Sequence, residues 1–379
     1  MTRHLRILHL EDDPGDAELV QETLAGEGID CEVMVVATRE AFVAELEQGS
    51  IDMILVDYAL PTFDGMSALA MVRERRLDLP FIFVSGRLGE EAAIESLRSG
   101  ATDYVLKNRL SRLAPAVIRA LNESDERAEH RKAEQALRES ELRRYQLQLE
   151  LVYAAEIQAK LLPRGYPQIA GFDIAAKCVP AKQVGGDFFD WQEVCPGVWG
   201  FTLGDVMGKG MAAAMLMATV RASMRSVAHN RPSEALRLAE QALLPDLDNS
   251  ESFVTLFHGQ LNVTNKSFIF VDCGHGFDFV RRADGTVRGL NPRGLPLGVP
   301  GEKVYEEGAI SFDKGDTLVL YSDGLIDARP DLNLDSNLLA ERINGAASAQ
   351  EMVARLMGLT EQDGPQPDDI TVMVVRCTG

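Results

Sequence analysis

Four short segments in the C-terminal half, VGGDFFD, LGDVMGKG, LYSDGLID and QPDDIT, each set an aspartate beside glycine or at the edge of an apolar run. The candidates are Asp187, Asp205, Asp323 and the adjacent Asp368 and Asp369. Glycine lets backbone and a bound group approach without a Cβ in the way. Aspartates gathered from separate strand ends repel one another unless cations neutralise them, and an all-oxygen set favours Mg²⁺ or Mn²⁺. A two-cation centre activates water and stabilises charge on a phosphoryl group, so neither a serine nor a cysteine nucleophile is required. The chemistry expected of this set is metal-dependent hydrolysis of a phosphate ester. The Gly-Lys pair in GDVMGKG also suggests a nucleotide loop, but G-x-x-x-x-G-K-[ST] fails at Leu203 and again at Gly210.

A second set lies near the N-terminus. Glu11, Asp12 and Asp13 close the run LRILHL, Asp57 closes MILVD, Ser85 closes FIFVS, and Lys107 follows DYVL. Each alone suits a helix cap or a turn. Together, Glu11, Asp12 and Asp57 could share a Mg²⁺ while Asp57 attacks a phosphoryl donor. Lys107 would pair with the acyl phosphate, and the Ser85 hydroxyl would bond its oxygen.

These residues need elements that bring them together. From residue 5 to about 110, LRILHL, CEVMVV, IDMILVD, LPFIFVS and DYVLK are each followed by an amphipathic stretch. Such βα alternation predicts a doubly wound five-stranded parallel sheet, with sites at the carboxyl ends of its strands. Residues 116–162 lack Gly and Pro and are rich in charge of both signs, which predicts a helix about 70 Å long, closed by Pro163. Leu142, Tyr145, Leu149 and Val152 follow 3-4-3 spacing, so this stretch reads either as a solvated linker or as a coiled-coil dimer seam. Beyond residue 164 come strands such as 198–205, 267–274, 316–324 and 368–376, interrupted by helical runs at 211–229, 233–243 and 348–358. This grouping predicts an α+β sandwich.

The chain has 379 residues, which exceeds the usual reach of one core, and two domains are expected. Fifty-eight acids against 38 bases give a net charge of −20, which argues against nucleic acid and anionic membrane as partners. Five scattered cysteines show no C-x-x-C pair, so a disulfide framework is not expected and a reducing cytosol is the expected setting. The longest apolar run, AAAMLMATV, is too short to span a bilayer.

Residues 5 to about 122 resemble the receiver domain of bacterial two-component response regulators, through ILHLEDDPGDAELV, MILVDYALPTFDGM, FIFVSG and GATDYVLK. The resemblance implies that Glu11 and Asp12 bind Mg²⁺, that Asp57 is phosphorylated by a sensor histidine kinase, that Ser85 and Tyr104 are switch residues, and that Lys107 contacts the phosphoryl group. Asn108 stands where that family often has proline. Residues from about 150 to 378 resemble the PPM-type serine/threonine phosphatases of the protein phosphatase 2C superfamily, in the SpoIIE-like branch, with AEIQAKLLP and CGHG as further matching segments. An α-β-β-α sandwich is implied, with two Mn²⁺ or Mg²⁺. By position, Asp205 would bridge both ions, the Val206 carbonyl would bind one, Asp323 and Asp368 would bind the second, Asp187 would act partly through water, and Asp369 would be a ligand or a neighbour. Met207 stands where eukaryotic relatives carry a histidine general acid, and His275 is open to a structural or an acid role. Lys209 is open to a substrate-phosphate contact or a solvated position.

The expected organisation is a receiver domain at 1–122, a helical linker at 123–162 and a phosphatase domain at 163–379. The function expected is a cytoplasmic, homodimeric response regulator whose output is dephosphorylation of a protein, with an anti-sigma-factor antagonist of the STAS type as the implied substrate. The alternatives are a phosphorylation-gated adaptor without turnover and a small-molecule phosphatase.

Overall fold

The computed structural model describes residues 4–379 apart from 62, 76–77, 87–89, 302 and 361–365. Within the motif segments, one position of MILVDYALPTFDGM lies outside the described residues, and both acid sets lie wholly inside them. The chain divides into two compact units, Met1–Arg143 and Arg144–Gly379.

The first unit alternates β1 (Leu5–Leu10), α1 (Pro14–Gly26), β2 (Cys31–Val36), α2 (Arg39–Gln48), β3 (Met53–Asp57), α3 (Gly65–Glu74), β4 (Phe81–Ser85), α4 (Glu90–Arg98) and β5 (Asp103–Leu106). All strand pairs are parallel, in the order β2-β1-β3-β4-β5. Successive strand residues point to opposite faces. Leu8, Ile54, Val56, Phe81 and Phe83 accordingly pack with Phe42, Leu69 and Val72 on one face. Ile7, Leu55, Ile82 and Val84 pack with Val20, Leu24 and Val117 on the other. Helix starts are capped by Asp13, Thr38 and Asp64, whose side chains accept from amides of the first turn.

Helix α5 (Leu113–Leu161) is unbroken for 49 residues, about 74 Å at 1.5 Å per residue. Pro115 is tolerated because amides of the first turn have no partner within the helix. Leu113, Ala116, Val117 and Ala120 are buried in the first unit's core.

The second unit runs β6 (Phe172–Val179), β7 (Phe188–Cys195), β8 (Val198–Val206), α6 (Met211–Val227), α7 (Pro232–Asn249), β9 (Val254–Asn262), β10 (Ser267–Cys273), β11 (Asp278–Arg281), β12 (Val287–Arg288), β13 (Arg293–Gly294), β14 (Gly308–Ser311), β15 (Thr317–Tyr321), α8 (Gly324–Asp327), α9 (Ser336–Arg342), α10 (Ala349–Met357) and β16 (Ile370–Cys377). One sheet has the order β13-β10-β9-β8-β7 with β14 also on β10, and the other has the order β12-β11-β15-β16-β6. Phe201, Leu203, Phe257, Phe268 and Phe270 of the first meet Phe172, Ile174, Leu318 and Met373 of the second in the central core. Helices α6 and α7 cover the first sheet through Met217, Val220, Leu236 and Leu243. Helices α9 and α10 cover the second through Leu339, Val353 and Leu356. The layers are α-β-β-α, as expected.

Helix α7 extends past the expected end at 243, through Pro245, to Asn249. Leu243 and Leu247 continue its buried face, and that packing outweighs the bond that proline removes.

Candidate active site and phosphoacceptor cluster

In the first unit, parallel pairing sets the carboxyl ends of β1, β3, β4 and β5 along one edge. Glu11 follows β1, Asp57 and Ser85 end β3 and β4, and Lys107 follows β5. Lys107 Nζ donates to Glu11 Oε2 at 2.6 Å, to Asp57 Oδ2 at 2.7 Å and to Asp16 Oδ2 at 2.6 Å. Burial alone would lower the lysine's pKa, but the three carboxylates hold it above its ordinary value. Burial pushes the Glu11 carboxyl up. Glu11, Asp12 and Asp57 each offer an oxygen within 4.8 Å of the others, a set suited to one hard cation. Asp13 is engaged elsewhere, since it caps α1 by accepting from Gly15 N at 2.8 Å. Ser85 is buried, and Tyr104 is half-buried against the core around Phe83. Asp16, on the first turn of α1, escaped the sequence reading because its position is reached through the helix and not through a strand end.

In the second unit, antiparallel pairing does the gathering. Phe188 lies opposite Gly204, which places Asp187, just before β7, beside Asp205 near the end of β8. Tyr321 lies opposite Val372, which places Asp323, after β15, beside Asp368 and Asp369 at the start of β16. The two pairs act on one another through charge: burial, then the Asp323 carboxylate, then those of Asp368 and Asp369 push Asp205 up to about 7. Burial and Asp205 hold Asp187 well above the usual carboxylate range, and burial and Asp368 raise Asp323. Such a set is short of positive charge.

The surrounding contacts fix the acids in place. Asp187 Oδ2 accepts from Thr371 Oγ1 at 2.7 Å. Asp369 is buried, with Oδ1 accepting from Ala181 N at 2.7 Å and Oδ2 from Gly186 N at 2.6 Å, so amides engage both of its oxygens. A Cβ on Gly186 would lie 2.5 Å from the Val206 carbonyl oxygen, and one on Gly324 would lie 2.0 Å from the Asp369 carbonyl oxygen. Only glycine permits these approaches. Oxygen-only donors, a backbone carbonyl closely cradled by glycine and unneutralised buried acids all fit divalent cations.

Lys209 is neither solvated alone nor free: its Nζ stands 2.8 Å from Asp368 Oδ2. The exposed Met207 donates its amide to the Phe253 carbonyl. His275 is buried, is pushed down to about 4 by that burial, and its Nε2 donates to the Tyr321 carbonyl at 2.9 Å. It supports the strand end that leads to Asp323. Thr371 and Gln158 were missed, although Thr371 stands in the QPDDIT segment and Gln158 in AEIQAKLLP.

A doubly wound sheet with an acid-lysine cluster, joined to an α-β-β-α sandwich with aspartates from four segments, defines a response regulator with a PPM-type phosphatase output. Comparison with known proteins agrees. Residues 7–118 match the response regulator receiver domain, and residues 196–378 match the family described as Stage II sporulation protein E (SpoIIE). The phosphoserine phosphatase RsbU of Bacillus subtilis is 32% identical over 245 residues, covering 61% of this chain and 71% of RsbU. Protein IcfG of Synechocystis sp. is 25% identical over 266 residues, 60% of this chain, which spans only 41% of IcfG. The SiaA-PP2C domain of Pseudomonas aeruginosa aligns at a TM-score of 0.53 with 20% identity, covering 62% of this chain and 98% of that one, and so shares the fold. The chain belongs to the SpoIIE-type family of PPM protein serine/threonine phosphatases and carries a receiver domain at its N-terminal end. Among the described residues no helix is long and apolar enough to cross a membrane.

Proposed function

We propose that the chain is a response regulator in which phosphorylation of Asp57 controls hydrolysis of phosphoserine or phosphothreonine on a partner protein. The observation that carries this reading is the convergence of Asp187, Asp205, Asp323 and Asp368 from separate strand ends. A sensor histidine kinase would supply the phosphoryl group, and a phosphorylated anti-sigma-factor antagonist of the STAS type would be the substrate. The setting is cytoplasmic, and the working form is a homodimer.

Asp205, Asp187, Asp323, Asp368 and the Val206 carbonyl would hold two Mn²⁺ or Mg²⁺. Bound there, the cations supply Lewis acidity and an activated water for attack on phosphorus. Thr371 orients the Asp187 carboxylate, while Asp369 fixes the loop at 181–187 and so acts through its neighbours. Lys209 holds Asp368 and ties the turn after β8 to β16. Met207 has no proton to give, and the His275 Nε2 proton is directed at Tyr321, so neither serves the leaving oxygen. In the receiver, Glu11, Asp12 and Asp57 would take a Mg²⁺, Lys107 would meet the phosphoryl group, and Ser85 and Tyr104 would respond to it.

The helix α5 begins in the receiver core and ends at the phosphatase unit, so a change at Asp57 has one continuous element through which to act. Phosphate release from a phosphoserine protein tests the enzyme reading. Mn²⁺-dependent turnover that is lost in Asp205→Asn supports it, and turnover unchanged by that substitution rejects the ligand assignment. No turnover on any phosphoprotein would favour an adaptor. Equal rates with and without a phosphoryl mimic on Asp57 would remove the regulatory half.

A further inference from the structure

Gln158 lies in the last turn of α5, and its side-chain amide makes a reciprocal pair of bonds with a single residue. Nε2 donates to the Gly185 carbonyl at 2.6 Å, and Oε1 accepts from the Gly185 amide at 3.1 Å. The pair imitates a rung of a β-ladder, with a side chain in place of a strand. The gripped residue has no room to be anything else, because a Cβ on Gly185 would fall 2.1 Å from Asp369 Oδ2.

The two residues after Gly185 are the part of the chain on which the site depends. Gly186 donates its amide to Asp369 at 2.6 Å and passes against the Val206 carbonyl, and Asp187 comes next with its carboxylate on Thr371. The segment 181–187 is therefore held on one side by Asp369, through Ala181 and Gly186, and on the other by Gln158. Two of the oxygen donors assigned to cations, those of Asp187 and Val206, lie within a residue or two of that grip or in contact with it.

We propose that Gln158 is a positioning residue for the cation-holding loop. By fixing Gly185 it sets Asp187 against Asp205 and the Val206 carbonyl, so the affinity of the site for a divalent cation depends on where the last turn of α5 sits. This rests on the assignment of Asp187, Asp205 and Val206 as cation ligands. A shift of α5 by one residue along its axis is about 1.5 Å, enough to break both bonds at once, since neither tolerates much lengthening. With the amide gone, the Gly185 groups turn to water, the loop keeps only its Asp369 anchors, and Asp187 spends less time in register with Asp205.

The test uses the full-length chain with Mn²⁺ as the probe. Gln158→Ala removes both bonds, and Gln158→Leu removes them while keeping most of the volume that packs there. Calorimetric titration is expected to show Mn²⁺ binding weakened about tenfold in both, the scale of one to two net hydrogen bonds. Amide hydrogen exchange over 181–187 is expected to quicken, while melting without metal stays within about 2 °C of the wild type, as for a half-exposed side chain. Turnover recovered at saturating Mn²⁺ would place the defect in cation binding. Wild-type affinity together with wild-type exchange in the Leu variant overturns the proposal. Asp205→Asn, titrated in parallel, separates the two levels. If it binds Mn²⁺ as the wild type does, the ligand assignment falls and this proposal with it. If it loses Mn²⁺ while the Gln158 variants keep it, only the positioning role falls.

Discussion

Lys107 Nζ stands 2.7 Å from Asp57 Oδ2, and the same ammonium is held 2.6 Å from both Glu11 and Asp16. One cation thus serves three carboxylates, two of them largely buried. Removing one partner of such a set leaves uncompensated charge, which costs more than the set itself contributes. Lys107→Ala is expected to destabilise the receiver by about 2–3 kcal/mol. Added Mg²⁺ should restore much of that loss, because Glu11, Asp12 and Asp57 can share the ion. Thermal unfolding with and without Mg²⁺ checks this. A loss that Mg²⁺ does not touch would count against the shared ion.

Gly186 is expected to be intolerant of even one methyl group. Its Cβ would meet the Val206 carbonyl oxygen at 2.5 Å and Ala213 Cβ at 3.3 Å. Gly186→Ala must therefore displace Asp187 or Val206, and a misplacement near 1 Å costs about 100-fold in rate. Gly358, where an added Cβ meets nothing within 4 Å, is the control, and Gly358→Ala should leave turnover unchanged. Initial rates of phosphate release on the two variants decide the matter.

Asp278 offers a prediction about pH that is independent of cations. Burial and the neighbouring Asp272 push it up to about 6 against the pull of the Arg293 guanidinium, which lies 3.8 Å from its Oδ2, a buried oxygen that accepts no hydrogen bond. Its folded pKa lies above its unfolded value, so the native state binds the extra proton between about pH 4 and pH 6. Stability should fall as pH rises through that window, and the full penalty applies above it. Asp278→Asn can keep the bond from Leu290 N, made at 2.7 Å, and donate to Asp272. It is expected to stabilise the protein by roughly 2 kcal/mol at pH 8, with the gain fading below about pH 5. Denaturant melts at the two pH values measure it, and a gain independent of pH would contradict the assignment.

The acid sets were legible in the sequence because both sit at strand ends, where alternation and glycine mark the element and its boundary together. Asp57, Asp205 and Asp323 needed only a strand and its carboxyl end, since each lies within two residues of where its strand stops. Contacts made by side chains across the fold were not legible. Nothing in the pattern around Asp369 shows that its oxygens go to Ala181 and Gly186, nearly two hundred positions away in the chain. Asp16 and Gln158 lie on helices, where a polar residue facing a site looks the same as one facing water. The end of α7 is not legible either, because Pro245 is a local stop signal, whereas burial of Leu247 is a tertiary gain that no window around it records.

The seam on α5 gives a prediction about assembly. Leu142, Tyr145, Leu149 and Val152 repeat at 3-4-3 spacing on a helix whose middle is charged, and all four are exposed, at 42 to 63%. A single exposed apolar side chain is ordinary, but four in register form a stripe of the kind along which two helices can bury each other. The full chain is expected to scatter light as twice its 41.5 kDa. Leu142→Glu with Leu149→Glu places like charges at two facing levels and should return the mass to that of one chain. Leu147 is also exposed but lies off the stripe, so Leu147→Glu should leave the dimer intact. A wild-type chain that scatters as a monomer at micromolar concentration would make α5 a solvated connector, and control by Asp57 would then have to act within one chain.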